Sequence, residues 1–172
     1  MLGTIVTIVA GAVTILSVVA VGYVIGMRTK SRLVQGPVIA LSRRFMNPRQ
    51  LRVAGGPGAD ASIVRHRGRT SGRAYETPVA VVRDGATFLI ALPYGSRAQW
   101  ARNVLAAGAA TLITEGETIE VDRPELIATR DVMDRFPPSD QRLFRLFATN
   151  ECLRLYPVPA APASDTILPV AA

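Results

Sequence analysis

The first 27 residues, Met1 to Met27, contain no charged side chain and are rich in Val, Ile, Ala and Gly. At ~1.5 Å rise per residue such a run makes a helix roughly 40 Å long, enough to cross a ~30 Å hydrocarbon core with some tilt. Arg28, Lys30 and Arg32 follow at once, and only the terminal amine precedes the run as a positive charge. That bias puts the C-terminal side in the cytoplasm. The expectation is a single-pass anchor in the cell membrane over residues 1–27 with a cytoplasmic catalytic domain behind it. A cleaved secretory signal is the rival. Val18-Val19-Ala20 could pass as its cleavage site, but there is no basic n-region and the apolar run is too long.

The charge behind the anchor is uneven. Residues 28–73 hold eleven Lys and Arg against one acid, Asp60, whereas residues 74–172 hold nine Arg against twelve acids. The stretch 28–52 suits a juxtamembrane region drawn to anionic lipid. The stretch 65–73 suits a phosphate or carboxylate ligand. Nucleic acid is disfavoured, because no aromatic residues interleave the basic stretch and no nucleic-acid motif is present.

Cys152 is the only cysteine and His66 the only histidine. Disulfides within the chain are excluded, which fits a reducing compartment, and no metal site built on His and Cys is expected. A serine or cysteine hydrolase would have to use His66 as its base. In Arg65-His66-Arg67 the alternation suggests a strand position with a structural or surface role. Cys152 reads as a small, partly buried apolar residue.

Along the chain, Leu33 to Met46 suits a short amphipathic helix on the membrane surface, separated from the anchor at Gly36-Pro37 and ended by Pro48. Residues 54–60 are a loop by composition. Ser62 to Arg67 forms a first strand and Tyr75 to Arg83 a second, followed by an Asp84-Gly85 hairpin turn and a buried strand from Thr87 to Leu92. Gln99 to Ala107 reads as a helix ended by Gly108. Thr111–Thr114 and Thr118–Asp122 form a hairpin around Glu115-Gly116-Glu117, with a further strand at Leu126–Thr129. Asp131–Phe136 and Asp140–Ala148 are helical, and Leu153–Val158 returns as a strand. Hairpins with one short inserted helix argue for a small, mostly antiparallel barrel.

Residues 68–103 carry the chemistry. They run Gly68-Arg69-Thr70-Ser71-Gly72-Arg73, Thr77-Pro78, Arg83-Asp84-Gly85, Tyr94-Gly95-Ser96 and Trp100-Ala101-Arg102-Asn103. This is a basic, glycine-punctuated turn between two strands, followed by a second glycine turn that opens a helix. Guanidinium groups, backbone N–H groups and a helix N-terminus would converge on one extended anionic ligand.

That ordered set resembles the deazaflavin (coenzyme F420)-dependent nitroreductase and quinone reductase family of split β-barrel proteins, over roughly residues 61–125. The resemblance implies an α+β fold, mainly antiparallel β: an FMN-binding-like split β-barrel behind an N-terminal transmembrane helix. The division would be an anchor at 1–27, a basic juxtamembrane helix and linker at 28–60, the barrel at 61–158 and a disordered tail at 159–172. It implies F420 as cofactor, with FMN as the alternative. Arg69, Thr70, Ser71 and Arg73 would hold its phosphate. Tyr75, Pro78, Ala91, Leu92, Pro93, Tyr94, Gln99, Trp100 and Asn103 would line the rest. Asn103, one helical turn beyond Trp100, would bind cofactor or brace the Tyr94–Ser96 loop.

The implied reaction is hydride transfer to a quinone or nitro compound, with Tyr94 as proton donor and Tyr75 also available. Membrane lipid and a lipid-soluble quinone are the implied partners, and a homodimer is left open. Three departures from the family pattern stand out. Thr70 replaces a second basic residue. Glu76 sits where a carboxylate would repel phosphate. The segment from Phe136 to Ala148 offers Phe136, Phe144 and Phe147 as an aromatic wall but no tyrosine. The competing readings are an FMN-dependent split-barrel reductase and a non-catalytic barrel binding the cofactor, a tetrapyrrole or lipid at the membrane.

Overall fold

The computed structural model describes residues 2–41, 44 and 50–159. The expected disordered tail beyond Pro159, and the juxtamembrane helix past Leu41 with its stop at Pro48, lie outside the described residues. Helix α1 (Leu2–Arg28) is long and apolar enough to cross a membrane from Thr7 to Arg28, with most of its described side chains exposed and Met27 buried at its end. A secretory signal shares that property.

The chain turns out of α1 at Lys30, just past Arg28, and not at Gly36-Pro37. Lys30 takes the left-handed conformation at φ 54°. Its N–H donates to the Met27 carbonyl at 3.3 Å and the Ser31 N–H to the Gly26 carbonyl at 2.9 Å. This is the Schellman pattern, with lysine at the position glycine usually takes. α2 (Arg32–Leu41) then starts at once and runs through Pro37. The expected break at Gly36-Pro37 is therefore wrong, because the Schellman end has already turned the chain.

Seven strands follow: β1 (Ser62–Arg67), β2 (Ala74–Val79), β3 (Val82–Asp84), β4 (Thr87–Ala91), β5 (Ala109–Thr114), β6 (Glu117–Ala128) and β7 (Glu151–Pro157). They form one antiparallel sheet in the order β2-β1-β5-β6-β7-β4-β3. Helix α3 (Gln99–Ala107) lies between β4 and β5, and α4 (Pro138–Phe147) between a 3-10 segment (Thr129–Arg135) and β7.

The single strand expected over Tyr75–Arg83 is two strands on opposite edges of the sheet. From Val79 to Val82 the chain takes three Cα steps, at most about 11 Å. The two edges must therefore curl to face each other, which makes the sheet a half-barrel. Pro78 falls on the edge strand β2, where a missing ladder donor is tolerated. The separate strand expected at Leu126–Thr129 is the second half of β6. The register slips between Asp122 and Glu125, around Arg123 at φ 47°, a bulge that lets one strand serve both β5 and β7.

The β4 run is continuously apolar because both of its faces are covered. Phe88 and Ile90 join the main core with Val64, Leu92, Ala101, Val104, Leu112, Val121, Leu153 and Leu155. Leu89 faces the other way, onto Val132, Phe136 and Cys152. Burial pushes the Cys152 thiol up to about 11, so it stays protonated and inert.

Candidate functional site

β1 and β2 carry the first turn. Alternation sends His66 inward with Val64 and leaves Arg65 and Arg67 outside. The turn closes through Gly68 N–H to the Arg73 carbonyl at 2.8 Å and Gly72 N–H to the Gly68 carbonyl at 2.7 Å. A Cβ on Gly68 would lie 2.5 Å from Ser71 Oγ and 2.9 Å from Tyr75 Cε2, so any side chain there would force Ser71 and Tyr75 to shift. The Ser71 and Tyr75 hydroxyls are 3.3 Å apart, and the Tyr75 ring stacks on His66 at 5.8 Å.

α3 clamps this turn from the side. Asn103 Oδ1 accepts from Arg69 Nη1 at 3.0 Å and from the Arg69 backbone N–H at 3.3 Å. Gln99 Oε1 accepts from the same Nη1 at 2.9 Å. With its oxygen on Arg69, Asn103 turns Nδ2 toward His66 Nδ1, 3.2 Å away. That nitrogen must then accept, so His66 is the neutral tautomer, and its Nε2–H donates to Thr77 Oγ1 at 3.2 Å. Burial holds His66 below its ordinary value, partly offset by a hydrogen bond with the Arg67 backbone. The structural role expected of His66 is met in a specific form: it orients Asn103, and Asn103 orients Arg69.

Around this clamp the positive charge is left open. Among the described residues no carboxylate pairs with Arg69 or Arg73. The N-cap of α3 is Ala98, and no side chain caps the helix, so its first N–H groups remain for an anion. Glu76, expected to repel a phosphate, is instead paired with Arg65 at 2.6 Å across the β1–β2 ladder. It sits on the face opposite Tyr75 and Thr77, so its charge is answered locally.

The second turn, Leu92 to Ser96, is held from further away. Glu151, the first residue of β7, accepts from the Ser96 backbone N–H through Oε2 and from Ser96 Oγ at 3.1 Å through Oε1. Gly95 lies at φ 75°, and a Cβ there would stand 3.1 Å from Glu151 Oε2. Lys30, beyond the end of α1, donates from Nζ to the Pro93 carbonyl at 2.8 Å. Burial lowers the Lys30 pKa, and the Glu151 carboxylate works against that shift.

The structure thus brings Arg69, Ser71, Tyr75, Gln99 and Asn103 together, with Thr70 and Arg73 exposed on the same turn. Asn103 braces the first turn and not the Tyr94–Ser96 loop; Glu151 braces that loop. Trp100 is half-buried and packs against the main core, as do the side chains of Leu92 and Val79. Pro78 and Ala91 are half-buried strand residues, and Tyr94 is half-buried in the second turn. The expected aromatic wall is absorbed by packing: Phe136 is buried, Phe144 meets it edge-on at 5.0 Å, and Phe147 meets Tyr23 of α1 at 5.9 Å. Sequence reading missed Glu151 and Lys30. Neither has a local signal, since their partners lie 55 and 63 residues away.

The sequence model of the F420H(2)-dependent quinone reductase family matches residues 44–143, more than half of the chain and the whole of the clamp. The chain belongs to that family. It is therefore an oxidoreductase, and the family points to coenzyme F420 as its cofactor, which sets aside the non-catalytic barrel. Among solved structures it is similar to an F420 reductase (16% identity, 62% of this chain and 91% of that one, TM-score 0.39). It is also similar to an F420-H2 dependent reductase (12% identity, 56% and 93%, TM-score 0.41). General Stress Protein 26 from Bacillus anthracis is a further likeness (5% identity, 65% and 88%, TM-score 0.42). At such scores these likenesses carry no inference about function. No curated protein matches the chain.

Proposed function

We propose that this F420-dependent reductase is tethered to the membrane by α1 and reduces a lipid-soluble quinone at the cytoplasmic face. The observation that carries the reading is the Arg69 clamp inside the family-matched segment: a guanidinium fixed by Gln99 and Asn103, beside an uncapped helix start. Those groups fit a phosphate-bearing cofactor. Arg69, Arg73 and the Ser71 and Thr70 hydroxyls would hold the phosphate, and the turn at 92–96 with Tyr75, Pro78, Gln99 and Trp100 would flank the remainder. Reduced F420 supplies a hydride, and the protein supplies position and shelter from water.

A quinone that takes up a hydride becomes a hydroquinone anion and needs one proton. Tyr94 is the donor we assign, because it lies in the second turn between the backbone groups that Lys30 and Glu151 hold. Glu151 and Lys30 keep the backbone on either side of Tyr94 in place. The test is turnover of a lipid-soluble quinone in vesicles by the full chain with reduced F420. The expected result is turnover that falls about a hundred-fold or more in Tyr94→Phe with KM little changed, in the range of a lost general acid. Unchanged turnover in that variant would remove Tyr94 from the mechanism. A nitro compound turned over in preference to the quinone would overturn the assigned acceptor.

A further inference from the structure

We propose that the outer face of α4 lies on the surface of the bilayer that α1 spans, so that the barrel meets the membrane at a second point. The inference rests on reading α1 as a membrane span. No residue of α4 is buried, although the helix is strongly two-faced. At 100° per residue Phe144, Phe147, Leu143 and Leu146 fall on one arc. The barrel covers only its Phe144 edge, through Phe136, and α1 covers Phe147, through Tyr23. Leu143 and Leu146 complete the arc and remain 49% and 45% exposed.

The position of that face argues for lipid. Arg28, the last residue of the apolar span, donates from Nη1 to the carbonyls of Arg145 at 2.9 Å and Leu146 at 3.0 Å. It caps the C-terminus of α4, where a cation is favoured. The last turn of α4 is thereby fixed beside the end of the span, at the depth where hydrocarbon gives way to headgroups. Tyr23 stands at the same level, as interfacial aromatic residues do. Arg142 borders the apolar arc and is exposed, which suits leucines dipped between acyl chains and a guanidinium group reaching anionic headgroups. The consequence reaches the site. α4 leads within four residues to Glu151, which holds the second turn. Two contacts with the bilayer, α1 and α4, fix how that turn faces an acceptor arriving from the lipid.

The test uses the full chain in vesicles of phosphatidylcholine and phosphatidylglycerol. A bimane label is placed at Leu143→Cys or Leu146→Cys, with Val13→Cys in α1 as the span control. The native Cys152 is buried and resists labelling. We expect nitroxide-bearing lipid to remove most emission at all three positions, and iodide to lose access to 143 and 146 on vesicle binding. Quenching at 13 with 143 and 146 still open to iodide would overturn the inference while leaving the span intact. No quenching at 13 would remove the span and the inference together. Shielding of 143 and 146 from both quenchers would put a second copy of the chain on this face and also overturn it. Leu143 and Leu146 are exposed, and agreement between two independent labels guards against a local folding defect.

Discussion

The two turns that frame the candidate site are held in opposite ways. The first, Gly68 to Arg73, is braced by near neighbours in the sheet and by α3, through a relay of neutral side chains from Thr77 to His66 to Asn103 that ends on the Arg69 guanidinium. The second, Leu92 to Ser96, is braced by charged groups from remote parts of the chain, Glu151 from β7 and Lys30 from the foot of the anchor. A neutral relay is directional and nearly insensitive to salt. A carboxylate on a backbone N–H and an ammonium on a carbonyl are stronger singly than the neutral links of that relay, and Lys30 couples the second turn to whatever moves the anchor. On the proposed function the first turn is a rigid receptor for cofactor, and the second is the adjustable wall.

The largest effect should fall on the first turn. Arg69→Ala removes the clamped guanidinium, and a charge-assisted contact of ~1.5–3 kcal/mol corresponds to a loss of roughly ten- to a hundred-fold in F420 affinity, read by equilibrium titration. Next comes the second turn. Glu151→Ala leaves the Ser96 N–H and hydroxyl without their acceptor, so stability should fall by about 1–3 kcal/mol and Tm by several degrees. Turnover should drop more than F420 affinity does. An equal loss of both would show that the turns are one unit and break the distinction.

The relay makes the first turn sensitive to pH. His66 has a depressed pKa in the fold, so below its unfolded value of ~6.5 the unfolded chain binds a proton that the fold resists. Stability should therefore be flat above that pH and decline as pH falls below it, by at most ~1.4 kcal/mol per pH unit. F420 affinity should hold through that window and weaken only at lower pH, as His66 titrates in the fold, because a protonated Nδ1 cannot accept from Asn103. In His66→Asn the slope should vanish; a slope that persists would place the titration elsewhere. The smallest effect is expected at Glu76→Gln. The Arg65–Glu76 pair is exposed, 53% and 40% at the two side chains, so stability should move by about 0–1 kcal/mol and F420 affinity should not improve. A marked gain in affinity would mean that the carboxylate does oppose the phosphate.

The same contrast explains what could be read in the sequence. Turns, hairpins, the α3 start and the first-turn residues are local patterns, set by glycine, alternation and apolar runs. Arg69, Ser71, Gln99 and Asn103 converge as the motif implies. The break between β2 and β3 was not legible, because Tyr75 to Arg83 has one continuous strand composition and only closure of the half-barrel divides it. Lys30 in a left-handed conformation gave no signal either, since nothing local distinguishes it from a stop-transfer cation. The Arg65 partner of Glu76 has no local signal, because the pairing register, not the sequence, sets it. Trp100 and the phenylalanines carry the opposite lesson: as residue types they suggest ligand contact, and the fold uses much of their surface for packing.

The most direct test of the central claim is Trp100 fluorescence of the full chain, titrated with F420 and separately with FMN, in the wild type and in Arg69→Ala. Trp100 is the only tryptophan and lies in the first turn of α3, beside Gln99. Saturable quenching by F420, little by FMN, and a titration shifted to much weaker binding in the variant are expected. Quenching by FMN alone, or an unshifted F420 titration in Arg69→Ala, would contradict it.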